Sequence, residues 1–265
     1  MRMSIEYDTI SKIIFGGVMK FLVFLLFSFV SAQAIITIAP VDIGQKPGKS
    51  GMFKGSFETK RGNSDVDTYS AGLRLQYDNN ESYLIWSDFT FSYGKSSGVT
   101  NTNKTYAHLR YIHHLYEKSI DWETFLQSET NEFTNVKHRY LGGGGVRFFA
   151  KKKHFGKLHL GVGAFYEDIS YTTTIDPTEK NLRANTYLAY TNNFTKESYL
   201  SYVFYYQPKV DAFEDYILSN GLELNILIYK QFYLNFVFFY DYDSMPAIGV
   251  KKEDISQKTS FLYKF

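Results

Sequence analysis

Seven polar residues fall on three successive extended segments, in positions from which they could act together. His108 and Arg110 share one parity in the first segment, opposite Ala107, Leu109 and Tyr111. Glu123, Gln127 and Glu129 share a parity in the second, opposite Trp122 and Leu126. Arg139 and Arg147 do so in the third, with Gly143 and Gly145 between them, opposite Tyr140, Val146 and Phe148. Successive side chains of a strand point to opposite faces, so each polar set points one way. If all three faces meet, the guanidinium groups and carboxylates form one network, with Glu123 and Glu129 as its acids. Charges held away from bulk water need such partners. Facing a wet passage instead, the same set is a constriction or binding site for a polar solute. The residue pattern leaves both readings open.

Other chemistries fit less well. Gly142 to Gly145 is no phosphate loop, because Val146-Arg147-Phe148-Phe149 continues a strand and the Lys-Ser/Thr ending is missing. Gly143 and Gly145, beside Gly161 and Gly163 of the next segment, read as sites of close approach or tight curvature. A lipid hydrolase needs a serine within reach of a histidine. Ser128 and His138, on one parity of neighbouring segments, are the nearest match. His113 and His114 are adjacent and point to opposite faces, so they do not share a metal easily. No catalytic residue, metal or cofactor is therefore expected. Formal net charge is +2 without a polybasic patch, which gives no argument for nucleic acid. There is no cysteine, so neither disulfides nor thiolate ligands are available.

The elements that must position these residues are strands. Tyr69, Ala71, Leu73, Leu75 and Tyr77 alternate with smaller or polar residues. So do Leu158 to Tyr166, Leu222 to Ile228 and Phe232 to Tyr240. Twelve such segments are predicted, near 51–60, 66–77, 82–94, 102–114, 120–130, 137–149, 156–170, 182–193, 197–208, 216–228, 231–242 and 254–265. Even-numbered connections are tight, as at Asp78-Asn79-Asn80 and Tyr229-Lys230. Odd-numbered ones are mostly longer, as at 96–103, 172–180 and 243–254. Short turns on one side and long loops on the other mark a transmembrane barrel with apolar residues toward lipid and polar residues toward a lumen. Aromatics reach 18% of the chain, with 24 Phe and 23 Tyr, more than a soluble core requires and in keeping with lipid-facing girdles.

Both ends agree with this reading. Phe261, Tyr263 and Phe265 alternate onto one face at the end of the sequence. A terminal aromatic strand of this kind resembles the C-terminal recognition signal of bacterial outer-membrane β-barrels, which implies the barrel-assembly machinery as a partner. Near the start, Lys20 precedes the apolar run FLVFLLFSFV, residues 21–30, and Ser31-Ala32-Gln33-Ala34 follows. A charge, a short apolar run and an A-x-A site predict a signal peptide over 1–34, cleaved after Ala34. Glu6 and Asp8 are unusual in a leader, so residues before Met19 read as an upstream extension. Residues 35–50, with Pro40 and Pro47, are expected to be a periplasmic tail too short for a plug domain, and 51–265 the barrel.

Longer stretches carry a family resemblance. TYAHLRYIHHL, WETFLQSETNEF and HRYLGGGGVRF, with IAPVDIGQKPGKSGMFKGSFETKRGNSDVDTYSAGLRLQYD before them, resemble the salt-induced outer-membrane proteins, domain of unknown function family 481. The Gly62-Asn63 pair is part of that match. The resemblance implies a Gram-negative outer-membrane barrel and brings no established activity. The expectation is an all-β, closed antiparallel barrel of about twelve strands in outer-membrane lipid. Its role reads as a narrow channel for small polar solutes. The alternative is a structural or stress-response envelope barrel with a closed, polar-filled lumen, and the third is a membrane-embedded lipid hydrolase.

Overall fold

The computed structural model describes residues 41–60, 66–96, 99–116, 119–152 and 156–265. The expected leader over 1–34, the first six residues of the expected tail and the Gly62-Asn63 pair lie outside the described residues. Twelve antiparallel strands follow one another: β1 Gly48–Lys60, β2 Val66–Asp78, β3 Tyr83–Ser96, β4 Val99–Tyr116, β5 Ile120–Asn131, β6 Val136–Lys152, β7 Gly156–Tyr171, β8 Glu179–Asn193, β9 Tyr199–Pro208, β10 Tyr216–Tyr229, β11 Phe232–Asp243 and β12 Glu253–Lys264. Each pairs with the next, and β12 pairs with β1, so the sheet closes into a barrel without an edge. No helix of the described residues is long and apolar enough to cross a membrane. In a closed barrel every strand finds its backbone partners in its neighbours, which is what the bilayer interior demands.

The alternation in sequence is the alternation in space. Leu126 is 62% exposed on the outer face, while its neighbour Gln127 is 9% exposed on the inner one. Phe53, Phe57, Phe89, Phe91, Tyr140 and Phe148 stand outward with it. Tight turns close the end that carries both ends of the barrel. Asn79 organises one of them, its Oδ1 accepting from the amides of Ser82 and Tyr83 at 2.9 and 2.8 Å. Asn80 and Lys230 take the left-handed conformation there, with φ of 67° and 51°. This is the periplasmic end by the usual asymmetry of such barrels, and the longer connections are extracellular.

Two expectations change. The loop foreseen at 96–103 is mostly strand, since β3 runs to Ser96 and β4 begins at Val99. Its Val99, Thr100 and Thr102 are β-branched and favour extended backbone. β1 starts at Gly48 rather than 51, and the segment before it does not hang free. Val41 and Ile43 pack on a buried cluster of Leu84, Trp86, Tyr106 and Ile112 that faces the lumen. The apolar-out, polar-in rule therefore fails here, where the inward apolar residues form a floor for the segment, and again at a buried cluster of Tyr187, Ala189, Val203 and Tyr205.

Candidate functional site: a sealed lumen

The inward faces of β4 to β8 carry several polar clusters side by side. Arg110 Nη2 meets Glu123 Oε1 at 2.6 Å, and the Tyr187 hydroxyl donates to the same oxygen at 2.9 Å. The Arg110 guanidinium also lies 5.7 Å from the Tyr187 ring centre. Arg147 Nε donates to Asp121 Oδ2 at 2.7 Å, and His114 Nδ1 sits 2.5 Å from Asp121 Oδ1. Arg139 Nε donates to Glu167 Oε1 at 2.7 Å. Arg183 Nε takes Glu167 Oε2 at 2.7 Å, and its Nη2 reaches Asp215 at 3.0 Å. His108 lies between the rings of Trp86 and Phe125, with Nδ1 3.3 Å from Gln127 Oε1.

All seven residues expected in a lumen network are thus buried inside the barrel. Their partners differ from the expected ones. Glu123 takes Arg110, but Glu129 takes Lys104 at 3.2 Å rather than an arginine. Arg147 is served by Asp121 and Arg139 by Glu167, acids outside the expected set of seven. Parity alone would have found Asp121, since it shares a face with Glu123 and stands directly across from Arg147. Glu167 and Arg183 stand on β7 and β8, the next two strands along the wall, and Asp215 in the connection before β10, so pairing of neighbouring strands brings them into reach.

The glycines make room for this network. Gly145 and Gly163 are register partners, and a Cβ on either would lie 2.8 Å from the Cα of the other. A Cβ on Gly143 would overlap Phe165 and the Ala164 carbonyl. The Tyr187 ring occupies the space a side chain on Gly161 would take. Only because that space is empty does the Tyr187 hydroxyl cross β7 and β6 to reach Glu123 on β5.

Below the network, Val41 to Pro47 lies across the periplasmic mouth. At one wall the Asp78 carboxylate accepts from the amides of Gly44 at 2.8 Å and Lys46 at 3.3 Å. At the far wall Asp42 Oδ1 meets His159 Nε2 at 2.7 Å, and Lys157 Nζ donates to its other oxygen. Burial alone would raise the Asp42 carboxyl. The hydrogen bond and charge of His159, with the charge of Lys157, outweigh it and hold the group well below the usual carboxylate range. Arg147 and Trp86 are 1% exposed, and Asn225, Asn235 and Ser260 are as deeply buried on the other walls. Deeply buried side chains thus line the periplasmic half of the lumen. The extracellular end holds a vestibule of about 70 Å³ between the inner wall and the β11–β12 connection.

The remaining residues singled out from sequence are placed as follows. Phe261 and Phe265 are exposed on the outer face. Phe265 exchanges two backbone hydrogen bonds of 2.9 Å with Gly51, at the seam between β12 and β1. His138 lies against Ser170 on β7, not Ser128, with Oγ 3.1 Å from Nδ1 and 2.8 Å from Nε2. A hydroxyl that close to both ring nitrogens lies along neither lone pair, and among the described residues no carboxylate hydrogen-bonds His138. This is a poor nucleophile–base pair. Among the described residues no group of three His, Asp or Glu side chains is arranged to hold a metal ion.

Comparison with known proteins agrees with this geometry. Residues 55–265 match the family described as "Protein of unknown function, DUF481". Among curated proteins no sequence relative was found. Among solved structures, an outer membrane channel from Pseudomonas putida F1 is similar, with a TM-score of 0.53 at 10% identity over 88% of this chain and 100% of that one. The translocator domain of the autotransporter NalP from Neisseria meningitidis has a TM-score of 0.47 at 11% identity, covering 83% of this chain and 89% of that one. The KdgM porin has a TM-score of 0.46 at 12% identity, covering 82% and 99%. At these identities the likeness concerns the fold, which is that of an outer-membrane β-barrel.

Proposed function

Because the chain belongs to the DUF481 family and folds as an outer-membrane barrel, we propose that it is a narrow conduit for small polar solutes, held shut at its periplasmic mouth by its own N-terminal segment. The observation that carries this reading is the docking of Val41 to Pro47 across the mouth, between Asp78 on one wall and His159 on the other. A barrel built only as a scaffold gains nothing from a separate strap across its mouth. A conduit gains a closure that can leave without unfolding the wall. The polar inner surface and extracellular vestibule suit hydrated solutes rather than lipid. Export through a cleaved leader and assembly through β12 belong to the same reading, which needs no enzymatic chemistry.

Conductance across planar bilayers tests it. The refolded barrel is expected to be mostly silent, and the form lacking residues 41–47 to open in discrete steps. The second reading is a structural envelope barrel, favoured by the near-complete burial of Arg147 and Ser260. Silence of both forms, with no solute release from loaded vesicles, would establish that second reading in place of the first.

A further inference from the structure

We propose that the lysine–histidine pair which seats Asp42 is a binding site for a small free carboxylate, and that such a ligand, arriving from the periplasm, takes the place of Asp42 and frees that end of the strap. This deepens the conduit reading and rests on it for the strap's part as a closure. Lys157 and His159 stand two residues apart on one face of β7. His159 Nε2 donates to Asp42 Oδ1 at 2.7 Å, and Lys157 Nζ donates to Oδ2. One donor thus serves each oxygen of a single carboxylate, and nothing in that arrangement requires the carboxylate to belong to the chain.

The seat belongs to the wall, and the carboxylate does not. His159 is 3% exposed, and its ring lies 4.9 Å from that of Phe149, so the barrel fixes its orientation. The register partners of the pair bring no acid. Phe149 and Ala189 flank His159, and Lys151 and Thr191 flank Lys157. Among the described residues, Asp42 is the one carboxylate within ion-pair distance of either group. With the strap away, the wall keeps an ammonium group and an imidazole N–H that have lost their acceptor. A charge-assisted acceptor would relieve both.

The seat is within reach even while the strap is docked. Lys157 is the second residue of β7, at its periplasmic end, and the Lys157 and Asp42 side chains are 21% and 18% exposed. Asp42 has the advantage of its tether. Gly44, two residues on, is bound to Asp78, and a short tether presents its group at an effective concentration on the order of millimolar. A free carboxylate at or above that range competes with Asp42, and one far below it is shut out. A neutral amide of the same shape brings one acceptor oxygen and no charge, so it cannot replace Asp42.

Saturation-transfer NMR and thiol labelling of the refolded barrel test this without requiring conduction. The probe is acetate, with acetamide as its uncharged counterpart. In Asp42→Asn, where the tethered competitor is disarmed, acetate should show saturable transfer and acetamide none. The unaltered barrel should bind acetate several-fold more weakly, because Asp42 holds the seat. Adding Lys157→Gln or His159→Gln to Asp42→Asn, each checked for folding by heat-modifiable gel migration, should weaken acetate about tenfold or more. In a barrel altered only by Val41→Cys, the thiol should label faster in acetate than in chloride of equal ionic strength. Equal transfer to acetate and acetamide in Asp42→Asn, or none to either, overturns the proposal. So does acetate binding that survives the seat substitutions, or that is as tight in the unaltered barrel as in Asp42→Asn. Labelling that rises equally in chloride would mean screening alone and would overturn it too. Acetate binding with no conductance in any form would leave the site standing and remove the conduit. Conductance of the form lacking residues 41–47, without acetate binding, would do the reverse.

Discussion

Replacing Arg147 by methionine tests whether the lumen is dry. Arg147 is 1% exposed, and its Nε donates to Asp121 at 2.7 Å. Asp121 is itself 3% exposed. Methionine keeps much of the bulk and removes the charge, so the main effect is a buried carboxylate that has lost its guanidinium. Breaking a buried pair from one side costs about 3–5 kcal/mol when water is excluded. Asp121 still has His114 at 2.5 Å, which places the expected loss near the lower end, about 3 kcal/mol. If water filled the lumen the pair would behave like an exposed one, and the loss would be about 1 kcal/mol or less. Guanidinium titration of the barrel in vesicles measures the difference. Arg147→Met with Asp121→Asn removes both charges and should recover most of the loss, because neither is then left buried alone. A single-variant loss below about 1 kcal/mol, or a double variant no better than the single one, would refute dry surroundings for the pair.

Other outcomes are expected from the same geometry. Gly163→Ala should lower stability by about 1–3 kcal/mol or abolish folding, since its Cβ would meet the Gly144 backbone, which cannot step aside as a side chain can; unchanged thermal migration on gels would count against the close approach. Loss of Phe265 should reduce the folded fraction well below that of Lys264→Gln, because it removes two backbone bonds to Gly51 at the seam; equal folded fractions would reject this. The Asp42 contact should survive mild acid. Its carboxyl is held below the ordinary value of 3.8, so its contribution is present above that value and is lost only as pH falls through the lower, folded one. A cysteine at Val41 should therefore stay protected from a thiol reagent at pH 5 as at pH 7, and labelling that rises between them would sink the argument.

The wall of the barrel was legible in the sequence because its signal has a period of two. Leu126 and Gln127 differ in chemistry and end on opposite faces, and the same rule repeats along every strand. Turn chemistry at Asn79-Asn80 and Tyr229-Lys230 placed the tight connections. The partners inside were less legible. Parity says that Arg139 points inward, yet not that it takes Glu167 in preference to Glu129, its own register partner. Asp42 carried no signal at all. In a segment with Pro40 and Pro47 it reads as a surface acid, and its partners lie 115 and 117 residues away.

The two parts of the seal differ in what holds them. The network is built into the wall, and each charge has partners on strands that cannot separate without opening the barrel. The strap is held otherwise. Val41 and Ile43 are only partly buried, so together they contribute at most about 3 kcal/mol. Ordering a segment of this length costs more than that, at about 1–2 kcal/mol for each residue. Its docking therefore depends on the polar contacts at its two ends, Asp78 with the amides of Gly44 and Lys46, and Asp42 with His159 and Lys157. Loss of either end leaves too little apolar contact to hold the other. A strap poised in this way can leave as a unit while the arginine–carboxylate network above it stays intact, so the mouth can open without cost to the fold.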